Sequence, residues 1–118
     1  MNDKNKIFDL EERTANFGED VIEFCQNCKI NIITKPIISQ IIRSSTSIGA
    51  NYMEANGASS KKDFRNKIHF CKKEAQETKH WLRMMIKADS ESKDISTKLW
   101  TEAQELTLIF GKIAGSSK

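Results

Sequence analysis

One proline and five glycines in 118 residues leave little of the turn chemistry that a many-stranded β fold needs. No uninterrupted apolar run approaches the length that crosses a bilayer. The amino-terminal stretch MNDKNKIFDLEER lacks the apolar core of a secretory signal, so a cytoplasmic protein with no membrane partner is expected. Cys25, Cys28 and Cys71 are an odd number of thiols in a chain without an export signal, and read as reduced.

Catalytic and cofactor signatures are also missing. No Gly-rich phosphate loop follows a strand, and neither HExxH nor GxSxG occurs. The ExxH pairs of di-iron bundles are absent. Cys25-Gln-Asn-Cys28 has the CxxC spacing, but structural zinc needs four ligands and no second pair follows. His69 and Cys71 are two apart on a helix and point in different directions. His69 and His80 have no carboxylate four residues away. An enzyme is therefore not expected, and no metal, cofactor or small-molecule substrate is assigned.

What the chain does have is helical periodicity. Hydrophobic residues at 38% and charged residues at 30% suit one soluble domain over residues 1–118, with frayed ends at about 1–8 and 114–118. The first helix runs from about Asp9, a plausible N-cap, to Cys28, with Leu10, Thr14, Phe17, Val21, Phe24 and Cys28 on one face. After a connection at Asn31 to Thr34, Pro36 fits the first turn of the second. That helix presents Ile37, Ile38, Ile41, Ile42, Ser45, Ile48, Tyr52 and Met53, and should stop at Asn56-Gly57 with a left-handed glycine cap. Ser60 and Asp63 resemble a capping box for the third, whose seam of Phe64, Ile68, Cys71, Ala75, Thr78, Leu82 and Met85 is a heptad pattern. The fourth begins near Ser92 to Asp94 and carries Ile95, Leu99, Ala103, Leu106, Phe110 and Ile113. Short connections between four such segments predict an all-α, antiparallel up-down-up-down four-helix bundle.

Two further stripes are candidates for function. Gln40, Ser44, Ser47, Asn51 and Glu54, with Arg43 beside them, form a polar seam on the Ile-rich second helix. An antiparallel turn near 57–59 places Arg43 opposite Glu74 and Gln40 opposite Glu77. Glu74 and Glu77 belong to a flank with Phe70, Trp81 and Met84, so a groove sequestered from water is expected, with Arg43 as the neutralising fork. Losing one partner of such a buried pair costs roughly 3–5 kcal/mol, and its use would be to fix the register of helix packing and assembly.

The second stripe is basic. Lys62, Arg65, Lys72, Lys73, Lys79, Arg83 and Lys87 line another flank of the third helix. Residues 61–87 hold nine Lys/Arg against three Asp/Glu, whereas residues 1–28 hold three against seven. Segments at +6 and −4 suggest either internal pairing or a basic face open to a partner. Cations at one-turn spacing can follow an RNA or DNA backbone, with steep salt dependence. No aromatics interleave with them in the sequence, which argues against base stacking.

The run QIIRSSTSIGANYMEANGASSKKDFRNKIHFCKKEAQETKHWLRMM resembles the signature region of small bacterial four-helix-bundle proteins encoded in intervening sequences of large-subunit ribosomal RNA genes. Gln40, Arg43, Ser44, Ser47, Ile48, Asn51 and Glu54 match the family's Q-L-R-R-S-x-x-S-I-x-x-N-I-A-E-G element. Ile42 replaces the first of the paired arginines and Ala55 the closing glycine. Ser60 to Phe64 and Lys73 to Leu82 match two later elements. The resemblance implies an antiparallel bundle assembling as a homopentamer, a homo-oligomer without an established biochemical role. A related fold is the accessory protein of diversity-generating retroelements, where a basic pentamer engages nucleic acid. The leading expectation is a non-enzymatic, self-assembling scaffold or adaptor. The alternative is an RNA- or DNA-backbone-binding accessory protein that uses the basic flank.

Overall fold

Each predicted apolar face finds its place in four helices of a computed structural model that describes residues 9–116. They are α1 (Leu10–Asn27), α2 (Thr34–Asn56), α3 (Lys61–Ala88) and α4 (Lys93–Ser116), with a 3-10 turn at Ser90–Ser92 before α4. All six expected residues of α1 are buried, as are Ile68, Cys71, Ala75, Thr78, Leu82 and Met85 of α3. Phe110 at 0% exposure is the largest wholly buried side chain, its ring tilted against Tyr52 at 5.9 Å. Two expected core residues lie outside: Met53 and Ile95 sit at the edges of their helix faces and are exposed. Ser96, one position on, takes the buried place in α4.

The helix ends are built differently from the expectation in four places. Asp9 stands at the N-cap of α1, but its side chain makes no cap bond. The α2 entry is instead capped by Asn31, whose Oδ1 accepts from the backbone N–H groups of Ile33 and Thr34, both at 2.9 Å. Thr34 Oγ1 donates back to the Lys29 carbonyl at 2.6 Å, which locks the connection. Helix α2 does stop at Asn56, yet Gly57 has φ −100° and no residue described has positive φ, so no left-handed cap forms. A tight final turn replaces it, with Gly57 N–H donating to the Glu54 carbonyl at 3.1 Å. Ser60 caps α3 by accepting from Asp63 N–H at 3.0 Å, while Asp63 Oδ2 reaches Ser59 N–H rather than Ser60. Finally, α4 continues to Ser116 with Ala114 buried, so residues 114–116 are helical rather than frayed. The frayed stretch expected at 1–8 lies outside the described residues, as do 117 and 118.

Paired contacts fix the directions. Gly49 approaches Thr14 while Gly18 approaches Thr46, so α1 and α2 run antiparallel. Glu54 with Lys67 and Arg43 with Glu74 give the same sense for α2 and α3, and Lys79 with Gln104 and Lys72 with Gly111 for α3 and α4. Helix α3 packs on α2 and α4, diagonally across from α1, while α1 and α4 touch only sparingly. The result is a flattened bundle of 44 × 29 × 19 Å with an open side between its first and last helices.

Candidate functional site

Between α2 and α3 the small hydroxyls do the closest work. Ser44 is buried, and its hydroxyl donates to the Gln40 carbonyl at 2.9 Å. Thr78, also buried, sets its hydroxyl 2.8 Å from the Glu74 carbonyl and 2.9 Å from Ser44 Oγ. With neither hydroxyl left unsatisfied, two helix backbones approach without cost in buried polar groups. Ser47 and Asn51 turn back on their own helix, donating to the Arg43 carbonyl at 2.7 Å and the Ser47 carbonyl at 2.8 Å. Neither bridges to α3. Glu54 meets Lys67 Nζ at 3.0 Å on the outside.

Arg43 crosses the interface as the sequence predicts. Its Nε donates to Gln40 Oε1 at 3.1 Å, one terminal nitrogen donates to Glu74 Oε2 at 3.0 Å, and the other to Glu77 Oε1. Trp81 Nε1–H donates to that same Glu77 oxygen at 3.4 Å. These hydrogen bonds, from Arg43 first, hold the Glu77 carboxyl below its ordinary value, and Glu77 in turn raises the guanidinium. The expected sequestration is not there. The Arg43 side chain is 47% exposed and Glu77 30%, with only Glu74 largely covered at 12%. The cluster lies at the rim because Arg43 points away from the core face centred on Ile41 and Ile48. Phe70 beside it is also exposed.

The basic flank divides in two. Lys62, Lys73, Arg83 and Lys87 are exposed, whereas Arg65, Lys72 and Lys79 are half-buried. Lys72 lays its aliphatic chain along Gly111 of α4. Lys79 donates to Gln104 Oε1 at 2.5 Å and sits 5.3 Å from the centroid of Trp100. The fold thus sets an aromatic from α4 beside the cations of α3. Sequence spacing within α3 could not reveal that neighbour.

A third feature went unread in the sequence. Arg13 of α1 grips Glu102 of α4 through two bonds of 2.7 Å and touches Glu105 at 3.3 Å. Hydrogen bonding to Glu102 raises the Arg13 pKa, and its side chain is only 17% exposed. The available signal was a lone arginine in an acidic helix and two glutamates three apart on another. Around this grip, α1 and α4 leave two adjoining open grooves of about 720 and 730 Å³. Phe17, Phe24 and Leu99 form the floor but are themselves buried, and the polar lining is mixed, with Lys98 in both grooves and Lys29 in one beside Glu12, Asp20 and Glu23.

The thiols face inward. Cys25, Cys28 and Cys71 are free and buried. Burial pushes Cys25 and Cys71 up to about 12 and raises Cys28 as well, which opposes thiolate formation. No group of three metal-ligating side chains is present among the described residues, and no helix among them is long and apolar enough to cross a membrane.

The family model described as 23S rRNA-intervening sequence protein matches residues 8–112. A solved structure is similar over most of both chains: a protein of unknown function from the S23 ribosomal protein family of Bacteroides thetaiotaomicron VPI-5482. It is 28% identical, covers 88% of this chain and 96% of its own, and superposes with a TM-score of 0.78. No curated protein matches the chain.

Proposed function

The chain belongs to the 23S rRNA-intervening sequence protein family, and on that footing we propose that it is a self-associating, non-catalytic scaffold or adaptor of the cytoplasm. One observation carries the reading: α4 keeps Ile95, Trp100 and Leu108 exposed, apolar side chains that the bundle's own core does not use. Exposed apolar area of this kind serves as an interaction site when another surface removes it from water. Three free thiols suit a reducing compartment. A closed ring satisfies every copy at once, and five is the subunit count that the family resemblance implies.

Light scattering at micromolar concentration tests the proposal. A mass several times 13.5 kDa is expected, and a monomer across that range overturns it.

Trp100 beside Lys79 favours a second reading, an RNA- or DNA-backbone-binding accessory protein. Its contacts are the exposed Lys73, Arg83 and Lys87, with Trp100 offering a partly exposed ring for stacking. Binding to a structured RNA at low salt, weakening steeply as salt rises, supports it. Absence of binding at low salt removes it.

A further inference from the structure

Charge on α3 and α4 is sorted by edge. Glu74 and Glu77 of α3 turn to Arg43 of α2, and Asp63 to the backbone of Ser59. Glu102 and Glu105 of α4 are held by Arg13 of α1, while Asp89 and Glu91 line the groove on that same side. Asp94 lies six residues before Trp100, about 120° away round the helix. The carboxylates of both helices are thus placed off the edge where α3 and α4 meet. Cations hold that edge instead. Lys72 lies along Gly111, and Lys79 meets Gln104 and the Trp100 ring. Between these two contacts α3 advances seven residues while α4 runs back seven. Four residues beyond Lys79 comes Arg83, and four before Gln104 comes Trp100, so the same register sets Arg83 on the edge beside Trp100. Lys72, Lys79 and Arg83 take part in no ion pair among the described residues. They extend over about 16 Å of α3. Trp100 is 38% exposed beside them. The aromatic that α3 lacks among its own cations is therefore supplied by α4.

From this we infer that the α3–α4 edge is a site for unpaired nucleic acid, with one base stacked on Trp100 and the neighbouring phosphates on Lys79 and Arg83. The inference rests on the second reading above and names the strand form that the site takes. A phosphate chain suits a row of unpaired cations that has no carboxylate to repel it. The ring decides between strand forms. In a duplex both faces of each base are covered by its neighbours, and laying one on a side chain costs its unstacking. An unpaired base offers its face freely. Every base has such a face, so the site reads strandedness and is tolerant of sequence. An acidic peptide would satisfy the cations and leave the ring without a partner.

Tryptophan fluorescence tests this on the full chain. Trp81→Phe leaves Trp100 as the one tryptophan, and circular dichroism checks that the variant is helical. The probes are oligouridine and oligodeoxythymidine of about twelve nucleotides, and a mixed-sequence DNA duplex of the same length. Both single strands are expected to quench Trp100 at low salt, and the tighter of them identifies RNA or DNA as the source. The duplex is expected to leave the emission unchanged. In the wild-type background, Trp100→Ala should weaken single-strand binding about ten-fold, and Trp100→Phe should restore most of it. Arg83→Gln should weaken it too and make the remaining binding less sensitive to salt. If single strands and duplex bind equally well and Trp100→Ala changes neither, the site is wrong while nucleic-acid binding stands. Emission that responds to protein concentration but not to oligonucleotide also overturns it, because the ring then lies in a contact between copies. Polyglutamate that displaces the strands at equal charge, with no change in Trp100 emission on binding, reduces the edge to a general anion site and overturns it. No binding of any probe at low salt removes the underlying nucleic-acid reading itself.

Discussion

Arg13 and Glu102, 89 residues apart in sequence, form a two-pronged ion pair at 2.7 Å that joins the first helix to the last. It spans the one neighbouring helix pair that packs sparingly, so a polar clasp holds together what apolar contact hardly does. Planar pairing of this kind suits arginine and not lysine.

Replacing Arg13 with methionine keeps the stem's packing and leaves Glu102 without its partner. The expected loss is about 1–3 kcal/mol in urea unfolding. Amide exchange should rise first in the amino-terminal half of α1, where the clasp sits. An unchanged midpoint together with unchanged α1 protection contradicts the clasp.

Arg43 should matter less to stability than a sequestered pair would. With nearly half its side chain in solvent, its coupling to Glu77 is expected at about 0.5–1 kcal/mol, well below the loss expected for a buried charge. A double-mutant cycle of Arg43→Met and Glu77→Gln measures it. Coupling near 3 kcal/mol means that the seam is covered in solution, and would point to an additional interface there.

Acid should weaken the fold partly through Glu77. Hydrogen bonding to Arg43 holds its folded pKa below the ordinary 4.5. That contribution is fully present above the unfolded value and disappears as pH falls through the lower folded one. Stability measured from pH 6 to pH 2 should therefore fall, and Glu77→Gln should flatten the drop. Parallel profiles for the two proteins rule the pair out as a contributor.

Gly57 distinguishes the observed helix end from the left-handed cap its sequence suggests. At φ −100°, with the nearest atom to an added Cβ at 3.8 Å, Gly57→Ala should stabilise by about 0.4–1 kcal/mol through the unfolded chain. A left-handed residue there would make the same change destabilising. Thermal melts decide between the two signs.

The sequence by itself determined which residues face inward, and hence the four helices and most of their core. Periodicity is local: Ile68, Cys71, Ala75, Thr78, Leu82 and Met85 share a face whatever the helix packs against. It also placed Arg43 against Glu74, because a short antiparallel turn ties register to chain position, but Glu77, expected opposite Gln40, is taken by the same guanidinium. Depth was another matter. Whether that cluster was covered or washed depended on how far its side chains lay from the contact line, and the packing of α2 on α3 left it at the rim. Trp100 beside Lys79, Arg13 on Glu102 and the open α1–α4 side were decided only by tertiary structure. Each depends on the angle and separation of helices remote in sequence, which no single helix's periodicity encodes.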